Sequence, residues 1–148
     1  MSDIRRFTAT LLLALWWGGF TFYAGRVVSI GHEVLRSTVR QGFITERVTT
    51  ELNRLAVAVL AVTAWELVAR RRAGEADRTA WVAWAGVLVA TAALFALHAQ
   101  LAGMLDFARR VVADDDHFYA RHRLYLWAAA GQWLAGLILL HQLARVRR

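Results

Sequence analysis

Ionisable groups inside apolar sequence are costly in lipid, so they are the first candidates for chemistry. This chain offers few of them. His98 stands in the apolar run 79–105, about 10 Å of helix before Leu105 at 1.5 Å rise per residue, on one face with Thr91 and Leu94. In the topology argued below, His32, His117 and His122 fall near the same end, so four of the five histidines gather there. Neutral imidazoles from different helices suit a haem iron or a copper or zinc ion, with Glu33 or Asp106 as an oxygen ligand. On that reading His98, His122 and His32 are the candidate metal or haem ligands. The plainer reading is one hydrogen-bonded histidine inside a bundle and solvated histidines in polar flanks. No two of these residues show the i, i+4 spacing of a His-Glu-x-x-His helix.

The other polar groups inside apolar segments point to structure. Glu66 precedes Arg70 by about one turn on the same helical face, the spacing of an ion pair. Gln132 shares a face with Tyr125, Ala128 and Gly136. Such a small and polar stripe suits helix contact in lipid, where close backbone approach and interhelical hydrogen bonds replace the hydrophobic drive. The same logic marks Gly18 and Gly25 on the first apolar segment and Gly86 and Ala90 on the third as contact surfaces, within the bundle or toward a partner. Trp16 and Trp17 lie deep in the first segment, where indoles line a pigment, quinone or lipid-tail groove or fill space beside Gly18 and Gly19. Trp81, Trp84 and Trp127 lie near segment ends and fit an interfacial aromatic belt. Nothing resembles a phosphate loop, a serine triad or a carboxylate pair, so the chain reads as a non-enzyme without a cofactor.

The elements that must position these residues follow from composition. The chain has 148 residues, 58% of them hydrophobic, more apolar surface than a soluble domain of this size buries easily. The solvent for that surface is lipid. With no cysteine there are no disulfides or thiolate metal sites, and with no proline the helices are expected to run straight. All 18 basic residues are arginine, which excludes a lysine nucleophile. The net charge of +7 would suggest nucleic acid in a soluble chain. Here the arginines flank apolar blocks, so anionic lipid is the expected counterion and nucleic acid is not.

The pattern predicts an all-α protein, a single transmembrane domain folded as a four-helix bundle, with spans at about 7–30, 52–70, 79–105 and 123–144. The second is the weakest, since Asn53, Arg54 and Glu66 interrupt it. An even number of crossings puts both arginine-rich termini on one side. Between the first two spans, Leu35, Val39 and Phe43 recur at helical spacing, which predicts an amphipathic surface helix over about 33–50. The loop 70–78 is short and rich in arginine, and the loop 106–123 has Asp114, Asp115 and Asp116 at its tip. Nine arginines fall on each side of such a bundle. The dense clusters Arg70 to Arg72 and Arg145 to Arg148, both at span ends, place the termini in the cytoplasm of what reads as a bacterial inner membrane.

Two segments carry a family resemblance. Trp17-Gly18-Gly19 with Phe20 and Phe22, and His117-Phe118-Tyr119-Ala120-Arg121-His122 leading into Gln132 and Gly136-Leu137, resemble the transmembrane protein 205-like family of small four-helix membrane proteins. His122 aligns with the histidine that opens the family's last helix. The proline that family carries soon after the first span is absent, with Ser29 near its place. The resemblance implies a bundle and a membrane address, and no settled activity. The expected function is therefore a structural or accessory subunit that packs against other integral membrane proteins, with a haem- or metal-binding protein as the alternative.

Overall fold

The computed structural model describes residues 2–75, 77–106, 111–112 and 115–145. Of the residues singled out above, Asp114, Arg147 and Arg148 lie outside the described residues, as do the side chains of Asp106, Asp115 and Asp116. The chain folds as an all-α bundle. Helix α1 (Ser2–Phe22) passes through one wider π turn, Tyr23–Val27, directly into α2 (Val28–Leu35). Then come α3 (Thr38–Arg72), α4 (Arg78–Ala102) and α5 (Asp115–Ala144). Four helical rods, 3–35, 39–72, 78–102 and 117–144, are each long and apolar enough to cross a membrane. They form a ring in which α1 touches α3 and α5, and α4 touches α3 and α5. That is an antiparallel bundle with the start of α1 and the end of α5 at one end.

Local chemistry explains the boundaries. Helix α3 stops where Gly74 takes φ +80°, while the Glu75 amide donates to Arg70 O at 2.9 Å and that of Gly74 to Arg71 O at 3.2 Å. This pair of bonds satisfies carbonyls that the last helical turn leaves open, and the left-handed position suits glycine. Three residues on, the Asp77 carboxylate accepts from Thr79 N at 3.0 Å and Ala80 N at 3.2 Å, capping α4. The chain therefore reverses between α3 and α4 in very few residues. At the opposite end α4 and α5 are joined through a two-residue antiparallel ribbon, Leu105–Asp106 against Val111–Val112.

No separate surface helix occupies 33–50. The chain breaks once, at Arg36 (φ 46°) and Ser37, whose hydroxyl caps α3 by accepting from Arg40 N at 3.3 Å. Everything from Thr38 onward continues unbroken into the second span. The physical reason is length. At 1.5 Å per residue a rod of 33 residues is about 50 Å long against a hydrocarbon core of about 30 Å, so the surplus stands out as a hairpin. Leu35, Val39 and Phe43, the apolar face of the segment that reads as membrane-bound, are half-buried, and in the hairpin Tyr23 Oη donates to Thr45 Oγ1 at 3.1 Å while Gln41 is buried. Gly31 makes the approach possible, because a Cβ there would lie 1.9 Å from Gln41 Oε1. By the same continuation, α5 begins at 115 and shortens the expected loop 106–123.

The interior is layered along the bundle axis. Trp16, Leu94 and Gln132 form a layer toward the hairpin end. Leu13, Val59, Leu60, Val87 and Leu139 make an apolar middle, followed by Ala80, Ala83, Leu67 and Leu143. Glu66 and Arg70 close the end that carries the termini.

Candidate functional site

Two polar clusters sit in this frame, one at each end of the apolar middle. At the terminal end Glu66, 2% exposed, lies between two guanidinium groups. Arg70 Nε donates to Glu66 Oε1 at 2.7 Å, and Arg5 Nε to Oε2 at 2.5 Å. The expected pair of Glu66 and Arg70 is thus one half of a three-residue bridge. Arg70 is 8% exposed and does not reach outward as a surface arginine would. Its remaining donors serve the end of α5, bonding Leu143 O at 3.3 Å and Gln142 O at 3.5 Å. Arg6 adds bonds to Leu143 O at 3.2 Å, Ala144 O at 3.3 Å and Arg145 O. The last carbonyls of a helix lack intrahelical partners and carry the negative end of its dipole, so these arginines both satisfy and neutralise them. Arg5 and Arg6 carried no signal of this role in the sequence beyond their place before the first span.

The cluster near the hairpin gathers hydroxyls, a phenol, amides and one carboxylate around a histidine. His98 Nε2 meets Thr50 Oγ1 at 2.9 Å and lies 3.4 Å from Glu46 Oε1. Its ring packs on Tyr125 with centroids 6.4 Å apart. Tyr125 in turn faces Thr49, and Asn53 Nδ2 stands 3.5 Å from its hydroxyl. Deeper, Gln132 Nε2 donates to Thr91 Oγ1 at 2.7 Å, and that hydroxyl donates to Val87 O at 2.7 Å. Between these bonds lies a cavity lined by Trp16, Phe20, Thr49, Asn53, Tyr125 and Gln132, with Leu52, Leu94 and Ala129 completing the wall. Glu46, Thr49 and Thr50 had escaped notice in the sequence, because they belong to the segment that reads as a surface helix, and Asn53 read only as an interruption of the second span.

His122 and His32 have partners of their own. His122 stacks on Phe118 at 5.9 Å with rings 6° from parallel, and His32 Nδ1 lies 3.0 Å from Val28 O one turn back on its own exposed helix. Among the described residues no group of three or more His, Asp or Glu side chains is placed to hold a metal ion. The hairpin is the reason: it carries His32 away on a helix that ends beyond the span, while His98 points inward to α3.

The small-residue positions divide. A Cβ on Gly136 would lie 3.1 Å from Trp16 and 3.2 Å from Trp17, and one on Gly86 3.3 Å from Ala135 Cβ, so both glycines serve close packing. Ala90 and Ala128 are half-buried beside them. Gly18 and Gly25 are not contacts of the bundle: a Cβ on either would meet nothing within 4 Å. They lie on the outer face of the first rod, with Leu15 and Phe22 exposed alongside. The deep indoles are interhelical donors, Trp16 Nε1 to Leu52 O at 3.1 Å and Trp17 Nε1 to Trp133 O at 3.0 Å. Trp133 Nε1 answers to Thr21 Oγ1 at 2.8 Å. Trp84 does the same, bonding Leu60 O at 3.0 Å, and so belongs to the packing more than to an interfacial belt. Trp127 stays exposed, as a belt residue does.

No protein-family profile, curated protein or solved structure matches the chain. The functional reading therefore rests on the residues.

Proposed function

We propose that the protein is a non-catalytic accessory subunit that packs against other integral membrane proteins through the outer face of its first helix. The observation that carries this reading is the position of Gly18 and Gly25. Both are of the type that lets helix backbones approach closely in lipid, and neither is covered by any helix of this chain. Leu11, Leu15 and Phe22 flank them on the same exposed side. Glycine in a helix interior costs about 1 kcal/mol relative to alanine, and here no contact within the bundle offsets it. A partner helix seated on that face supplies the offset. The arginine-dense end, which holds both termini, belongs on the cytoplasmic side of a bacterial inner membrane by the usual bias of arginine. The likeness of the first and last spans to the transmembrane protein 205-like family agrees with this address.

The test is isolation from its own membrane in a mild detergent, followed by native mass measurement of the wild type and of Gly18→Leu and Gly25→Leu. A complex with another membrane protein that dissociates in these variants, while the variants keep their helicity, is the expected result. A monomer without a copurifying membrane protein, unchanged by either substitution, overturns the reading.

A further inference from the structure

The rim of the bundle at the arginine-dense end carries a groove between α1 and α5. It has a volume of about 340 Å³ and is lined by Asp3, Arg6, Phe7, Thr10, Leu143 and Ala144. No residue of α3 or α4 belongs to its wall, so it opens away from the bundle interior, toward lipid. The four α1 residues recur at i, i+3, i+4 and i+7, which places them on one face of the helix. Asp3, Arg6 and Thr10 are the polar ones, met in that order from the membrane surface inward, with axial steps of ~4.5 and ~6 Å at 1.5 Å per residue. Phe7, 65% exposed, and the buried Leu143 supply apolar surface beside them.

Each polar member has bonding capacity that the fold leaves unused. Among the described residues Asp3 makes no hydrogen bond or ion pair, although Arg6 lies one turn away. Arg6 is held across the groove by Nε and Nη2, which donate to Leu143 O, Ala144 O and Arg145 O, and among those residues its Nη1 has no acceptor. The Thr10 hydroxyl is likewise unbonded among them, whereas Thr8 and Thr21 on the same helix return theirs to the carbonyls of Ile4 and Trp17. A carboxylate, a guanidinium and a hydroxyl set in sequence along an apolar wall match, in order, the ammonium, phosphate and glycerol ester of an ethanolamine phospholipid. Arginine alone selects an acidic headgroup. Asp3 in the same wall repels an acidic headgroup and pairs with an ammonium. We propose that the groove is a seat for phosphatidylethanolamine, with the ammonium on Asp3, the phosphate on Arg6, an ester on Thr10 and one acyl chain along Phe7 and Leu143. It stands whether or not a partner covers Gly18 and Gly25.

The test is lipid binding to the delipidated whole chain in detergent, read by native mass measurement with phosphatidylethanolamine, phosphatidylcholine and phosphatidylglycerol of identical acyl chains. The ethanolamine lipid is expected to bind at least about tenfold more tightly than the choline lipid, which has no N–H to give Asp3, because a hydrogen bond to a charged group is worth that much. It is expected to outbind the acidic glycerol lipid as well. Asp3→Asn is expected to abolish the preference for ethanolamine, and Thr10→Val to weaken all three lipids. Asp3 is exposed and the Thr10 hydroxyl is unbonded among the described residues, so neither substitution removes a hydrogen bond seen in the fold. Glu75→Gln, which removes an acid at the same end but outside the groove, is expected to keep the preference. Equal retention of the three lipids, which is the behaviour of a general lipid shell, overturns the proposal. So does tighter binding of the glycerol lipid, a preference that survives Asp3→Asn, or one lost equally in Glu75→Gln.

Discussion

The two ends of the bundle solve the problem of polar groups near lipid in opposite ways. At the terminal end Glu66 is saturated by Arg5 and Arg70, and the spare donors of Arg70 and Arg6 close the last turn of α5. Glu66 and Arg70 are buried there, Glu66 is paired on both oxygens, and the cluster ties three helices together. Toward the hairpin hydroxyls, amides and a phenol surround His98 and Glu46, the bonds run pair by pair, and a small space is left among them. A charged cluster must be complete to exist at all in low dielectric, because an unpaired buried charge costs several kcal/mol. A cluster of amides and hydroxyls tolerates a gap, because water fills it at little cost. The first end is a clasp, and the second is a looser set of separate pairs.

The comparison can be broken by substitution. Glu66→Ala leaves two guanidinium groups without their carboxylate and is expected to cost about 3–5 kcal/mol, read as a large fall in unfolding temperature in detergent. Gly136→Leu, between the two ends, drives a side chain into Trp16 and Trp17 and is expected to cost about 1–3 kcal/mol. Gln132→Leu breaks the bond to Thr91 in the looser cluster and is expected to cost only about 0.6 kcal/mol, the usual worth of an interhelical hydrogen bond in a membrane. Arg54→Ala removes the exposed pair with Glu51 and should change stability by under about 0.5 kcal/mol. If Gln132→Leu proves as damaging as Glu66→Ala, the distinction between clasp and looser cluster falls. If Arg5→Met costs as much as Arg70→Met, the clasp acts as one unit and the comparison sharpens.

Much of the architecture was legible in the chain. Uncharged runs such as 79–97 exceed what a soluble helix needs, and the ion pair of Glu66 with Arg70 follows from helical periodicity alone. Gly86, Gln132 and Gly136 were recognisable as packing positions because small and polar residues inside a span have few other uses. Gly18 and Gly25 looked the same and proved to face outward, since residue type does not say which face of a helix turns inward. The hairpin was misread as a surface helix for a related reason. An amphipathic pattern shows that one face is apolar, and the membrane surface and a second helix satisfy that face equally well.

The sequence by itself determined the solvent and the number of crossings. Apolar run length and backbone hydrogen bonding leave helices as the only way for these segments to cross lipid. Only the tertiary structure decided which polar groups meet. Arg5 reaches Glu66 across 61 residues, and Thr50 reaches His98 across 48. Such pairings depend on helix rotation and axial offset, which are set by how Gly136, Trp16, Trp17 and Gly31 fit together. Periodicity along one helix carries no record of that fit.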